Sequence, residues 1–173
     1  MVEVLVALAA LAVIAAVALL TVPERVWAVF GEADLGPADL HTLHRRRTPN
    51  DALAAPAGYE RAEVLRPEIE SPVFDVAPGE LYRVVGTLID ADPASERVGD
   101  DRDALQARWV FRTPRMRYPD TLDVKVIPAG VGRSTLIIYG RAKIGLRDFG
   151  TNRRRIEGLL AALSTRAPRV ERR

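Results

Sequence analysis

Cysteine is missing from all 173 residues, histidine and methionine occur twice each, and aromatic side chains make up 6% of the chain. Without cysteine there is no disulfide, no thiolate nucleophile and no zinc site built on sulfur. His41 and His44 stand at i and i+3 with no third ligand beside them. That leaves too little imidazole for a histidine-based triad or a metal centre, so neither a metal nor another cofactor is expected. Neither G-x-S-x-G nor H-E-x-x-H occurs. The glycine spacing from Gly140 to Gly145 imitates a phosphate-binding loop, yet Leu146-Arg147 stands where that loop requires Lys followed by Ser or Thr. Nucleic-acid-binding motifs are absent too, and no nucleic-acid partner is expected.

What the chain has in abundance is a long apolar start. Val4 to Val22 runs for nineteen residues without a charge, about 28 Å as a helix and the thickness of a bilayer's hydrocarbon core. Only Glu3 precedes it, where a secretory signal would carry basic residues. Residues 1–23 therefore read as a retained transmembrane anchor, with a cleaved signal or a buried core helix as the alternatives, and Trp27 and Phe30 are placed for an interfacial aromatic belt. The triplet Arg45-Arg46-Arg47 lies slightly beyond the window in which positive charge sets topology, and is a weak cytoplasmic cue. Residues 24–58, with Gly, Pro, Asn and Asp and no sustained periodicity, read as a juxtamembrane linker or extended arm. The domain is expected over 59–165 and a basic tail over 166–173.

The net charge of +2 conceals a division. Glu24 to Ala104 holds seventeen acidic and nine basic residues, whereas Leu105 to Arg173 holds sixteen basic and five acidic. Two halves of opposite sign that fold together would neutralise each other.

Periodicity then orders the elements. Glu68 to Val76 reads as a first strand, which Pro72 would confine to an edge, or as an extended lead-in. Leu81, Val84, Val85, Leu88 and Ile89 form an apolar helical stripe behind Pro78, and Asp90–Asp103 is a polar loop with room for a short strand at Arg97-Val98. The period changes to two at Leu105, Ala107, Trp109 and Phe111, which alternate with Gln106, Arg108 and Arg112. Leu122, Val124 and Val126 alternate next, and Ser134 to Tyr139 follows a Pro128-to-Gly132 hairpin signal. Ile156, Leu159, Leu160 and Leu163 stripe a last helix. This order predicts an α+β fold: an antiparallel sheet of three to five strands covered on one face by two helices. Arg108, Arg112 and Arg141 are then expected on the opposite, wetter face or in a groove.

The connection into the last helix is the most specialised stretch. It runs from Arg141 through Gly145, Asp148, Gly150, Asn152 and Arg155 to Ile156. Gly145 and Gly150 suit positive φ in a tight turn, and Asp148 or Asn152 suits a helix cap. Arg153, Arg154 and Arg155 face the positive end of the helix dipole, so an anion must offset them. Two sources are open: Asp148 or Asp120 within the chain, or an external phosphate, carboxylate or lipid headgroup held by Arg141 and Arg155.

With Tyr118-Pro119-Asp120 and Thr48-Pro49-Asn50, this stretch resembles the domain of unknown function 1499 family. That family's pattern is a strand closing in Ser-Arg, then Gly-x-x-Asp-x-Gly-x-Asn-x-x-Arg-Ile. Gly140 departs from it at the serine. The resemblance covers about residues 48 to 164 and implies no established activity. Its bacterial members often begin with a hydrophobic segment, which implies an extracytoplasmic domain.

Three function classes follow. The leading one is a membrane-anchored, non-catalytic accessory domain that binds an anionic small molecule, a lipid headgroup or a protein partner through Arg141, Asp148, Asn152, Arg155 and Asp120. The second is a hydrolase-like enzyme using Asp120, Asp148 and Asn152. The third is a purely structural part of a membrane complex.

Overall fold

The computed structural model of the chain describes residues 1–40, 42–59 and 65–170. His41 lies outside the described residues. Helix α1, Val2–Thr21, is followed directly by the short helix α2, Pro23–Ala28. The α1 helix is 20 residues long, apolar on every side and unburied, with the length and composition to cross a membrane.

Beyond α2 the described strands are β1 (Asp51–Ala55), β2 (Ile69–Glu70), β3 (Ser95–Asp101), β4 (Gln106–Arg112), β5 (Pro119–Pro128) and β6 (Ser134–Ala142), with helix α3 (Pro78–Asp90) before β3 and helix α4 (Thr151–Ser164) after β6. They form one sheet of six strands in the order β2-β1-β6-β5-β4-β3. All neighbours are antiparallel except β1 and β2, which run parallel. The sheet is thus mixed and larger than the three to five antiparallel strands expected. The added strands carry no period-two signal. Alanine-rich β1 is buried at four of its five positions, so both faces are apolar, and β3 reads Ser-Glu-Arg-Val-Gly-Asp-Asp at a half-exposed edge with a bulge between Arg97 and Gly99.

Alternation on the inner strands assigns the faces. Trp109, Phe111, Leu122, Val124, Val126, Leu136 and Ile138 pack under α3 and α4, meeting Leu81, Val85, Ile89, Ile156, Leu160 and Leu163. The opposite face is not wet. Leu53, Ile137 and Tyr139 are covered there by Ala38, Leu40 and Leu65. Residues 34–40 lie across that face: Leu35 N–H donates to Thr121 Oγ1 at 3.1 Å and Ala38 N–H to Asp123 Oδ1 at 3.0 Å. Much of the segment between α2 and the domain is therefore a layer of the fold, including β1, which pairs with β6 over Asp51–Ala54. Tyr139 Oη donates to Asp51 Oδ2 at 2.8 Å, and Arg45 bridges Asp51 and Glu68.

Gly140 shows why α4 sits so close to the sheet. A Cβ at this position would lie 2.8 Å from Asn152 Oδ1 and 3.0 Å from Asn152 Cβ, so the strand has to lack a side chain where the first turn of the helix crosses it. Gly140→Ala is expected to destabilise the fold by about 1–3 kcal/mol through overpacking. Asn152→Ala in the same chain should return part of that loss. A double-mutant cycle in chemical denaturation checks this, and simple additivity of the two changes would contradict the contact.

Candidate functional site

The specialised residues gather at one end of the sheet, where β4 passes to β5 and β6 passes to α4. Strand parity divides them. Asp120 and Ala142 pair across β5 and β6 and face the helices, whereas Thr121, Asp123 and Arg141 face the N-terminal layer. Asp120, Asp148, Asn152 and Arg155 are therefore brought together, and Arg141 stands apart from them on the other side of the sheet.

On the helix side, Arg155 Nη1 donates to Asp120 Oδ2 at 3.1 Å and to Asn152 Oδ1 at 2.6 Å, with its guanidinium 4.5 Å from the Phe111 ring centre. Burial pushes the Asp120 carboxyl above the ordinary aspartate value, against the pull of Arg155, and the neighbouring Asp148 charge adds to the rise. Asn152 is fully buried and its Nδ2 has no partner among the described residues. Asp148 caps the helix. Its Oδ1 accepts the N–H of Gly150 at 2.9 Å and its Oδ2 that of Asn152 at 3.0 Å. The N-cap itself is Gly150, at φ +75°, with Gly145 at +94° earlier in the loop and Phe149 at +52°, a left-handed conformation uncommon outside glycine.

The arginines of the first turn find their anions and acceptors inside the chain. Arg153 pairs with Glu157 at 2.8 Å, Arg154 Nη1 donates to the Phe149 carbonyl at 2.9 Å, and Arg155 holds Asp120. On the opposite face Arg141 Nη2 donates to Asp123 Oδ2 and to the Gly36 carbonyl, both at 2.6 Å. Asp123 is almost completely buried, and burial raises its carboxyl despite Arg141. Arg108 completes this layer with a pair to Asp34 at 2.8 Å. The Thr48-Pro49-Asn50 turn braces the loop, since Asn50 Nδ2 donates to the Gly145 carbonyl at 2.8 Å.

Between the turn at 113–118 and the loop at 143–150 lies a cavity of about 570 Å³, whose wall includes Tyr118, Asp120, Ile144, Leu146, Arg147 and Phe149. Most of this wall is apolar. Leu146, Arg147 and Phe149 are exposed at its rim, and Arg147 forms no hydrogen bond or ion pair among the described residues. Sequence reasoning passed over Ile144, Leu146, Arg147 and Phe149 because they occupy the unspecified positions of the motif; two large apolar residues in a glycine-punctuated loop were the available signal. Asp123 was also missed, hidden as the polar partner in an alternating strand. Among the described residues no cluster of three or more His, Asp or Glu is placed to hold a metal ion.

Fold and site together define a class: an α+β domain with a mixed sheet, buried arginine–carboxylate pairs on both faces, and an apolar N-terminal helix ahead of it. The sequence model of a family described as protein of unknown function (DUF1499) matches residues 43–163, and the chain belongs to that family. A comparison with curated proteins finds no match.

Two substitutions test the assignments above. Asp123→Ala leaves the Arg141 guanidinium buried beside an unpaired Ala38 N–H and is expected to cost about 3–5 kcal/mol, read as a lowered denaturation midpoint. Asp148→Ala removes two cap bonds and should cost about 0.5–2 kcal/mol, with loss of amide-exchange protection confined to the first turn of α4.

Proposed function

We propose that this protein is a membrane-anchored, non-catalytic domain that binds an anionic amphiphile, with the ligand's apolar body in the loop cavity and its acidic head at Arg147. The cavity carries this reading. Its volume falls within the range of small-molecule sites, its wall is largely apolar, and Arg147, a cation with no partner among the described residues, stands at its rim. Of the first candidates for anion binding, Arg155 supports the ligand indirectly and Arg141, on the other side of the sheet, does not reach it. Both are committed to buried aspartates, and Arg155 holds Asp120 beneath the cavity. The carboxylates there favour an apolar ligand body inside and keep the negative head at the mouth. A carboxylate, phosphate or sulfate head would suit the Arg147 guanidinium equally.

The hydrolase-like alternative draws on Asp120, Asp148 and Asn152. It would require Asp148 to release two backbone N–H groups and Asn152 to leave complete burial, so the geometry favours binding.

Native mass spectrometry of the full chain, released from detergent micelles after addition of oleic acid, tests the proposal. The expected result is a stoichiometric oleate adduct that Ile144→Trp, which fills the cavity, abolishes and that Arg147→Glu weakens at least tenfold. No adduct on the parent chain, or an adduct unchanged by Ile144→Trp, would overturn it.

A further inference from the structure

Beyond α1 and the Met1 that starts it, the described large apolar side chains left exposed are few, and they are not scattered. Val22, Val29 and Phe30 flank α2, Leu146 and Phe149 stand on the 143–150 loop, and Val131 tips the β5–β6 hairpin at the far end of the sheet. The first two groups are physically joined. Trp27 of α2 stacks on Tyr118 at 4.6 Å and donates its indole N–H to the Met116 carbonyl, Glu24 pairs with Arg117 at 2.7 Å, and Lys143 Nζ donates to the Glu32 carbonyl. Tyr118 is also part of the cavity wall beside Leu146 and Phe149. The loop is thus tied to the segment that leaves α1.

We infer that the 143–150 loop and the adjoining 113–118 turn form a second contact with the bilayer that α1 enters: Leu146 and Phe149 insert at its interface, with Arg115 and Arg147 among anionic headgroups. This rests on the reading of α1 as an anchor. Leu146 is 77% and Phe149 84% exposed, a large apolar area to leave in water unless something covers it. The loop is not a slack one. Phe149 is turned outward by a left-handed backbone, Arg154 donates to its carbonyl, and Asp148 and Asn50 fix the chain on either side. Arg115 and Arg147 are exposed and have no bond to another described residue. An apolar tip with flanking guanidinium groups is the composition that settles at an anionic bilayer surface. It also places the cavity mouth at the level where an amphiphile leaves the lipid.

The lack of cysteine makes the test direct. Single substitutions Leu11→Cys, Val131→Cys, Leu146→Cys and Phe149→Cys in the full chain, each labelled with an environment-sensitive nitrobenzoxadiazole probe, are reconstituted into vesicles of phosphatidylcholine and phosphatidylglycerol carrying a doxyl-lipid quencher. Unchanged thermal melting shows that each variant is folded. Probes at 146 and 149 are expected to be blue-shifted and quenched severalfold relative to 131. Quenching should fall in Arg115→Glu/Arg147→Glu and in phosphatidylcholine alone. Probes at 146 and 149 as accessible to water as 131, with Leu11 quenched, would overturn the contact and leave the anchor standing. An unquenched Leu11 would overturn the anchor and the contact with it. Quenching at 146 and 149 that is indifferent to lipid charge and to both Glu substitutions would overturn the part given to the arginines.

Discussion

Strand β5 holds the molecule together through two carboxylates of opposite parity. Asp120 points toward the helices and takes Arg155 from α4; Asp123, three residues on, points the other way and takes Arg141 and the Ala38 N–H. One strand therefore grips both layers laid against the sheet. Each aspartate is buried deeply enough for desolvation to outweigh its cation, so neither pair is a strong net source of stability by itself. What the pairs provide is position. Removing either member strands a charge in a medium that cannot solvate it, which ties the α4 start to one register against β5 and the N-terminal layer to another.

The same logic accounts for the sequence's uneven charge. Acidic residues of the first half meet arginines of the second at Glu24–Arg117, Asp34–Arg108 and Glu96–Arg112. The first two pairs join residues 93 and 74 positions apart, so their geometry forms with the tertiary fold, whereas Glu96–Arg112 spans the neighbouring strands β3 and β4. Half-exposed pairs of this kind contribute little each, yet they orient α2 and the segment behind it on the rim of the sheet. The domain is consequently held close against the exit of α1.

Elements with a clear apolar period were legible in the sequence: α3 by its helical stripe, β4 by alternation with half-buried Gln106, Arg108 and Arg112, and β5 because its second face, though buried, is polar, with Thr121 and Asp123 alternating with Leu122 and Val124. Trp109 and Phe111 fall on the helix side, opposite Arg108, as their spacing dictates. Strand β1 was illegible because a layer from its own chain buries its second face and removes the polar half of the pattern; β3 showed only as room for a short strand at Arg97-Val98, because an edge strand of Ser, Glu, Arg and Asp has no apolar half to mark its length. At the candidate site, the motif residues could be found by their glycines and charges. Their division between two faces could not, because one residue of register decides whether Arg141 meets Asp123 or Asp120, and register lies in pairing geometry that no single strand records. The cavity wall escaped for a different reason: Ile144, Leu146 and Phe149 matter by their shared exposure, a property of the surface.

Both edges of the sheet are blunt. On one side β2 offers two residues between Pro67 and Pro72, and on the other β3 carries charge on most of its length and a bulge that bends it away from a flat partner. Strands that end a sheet in this way are poor templates for pairing with another chain. Copies of the domain can therefore crowd against one another without sharing strands, because neither end of the sheet offers a flat row of free backbone groups to a neighbour.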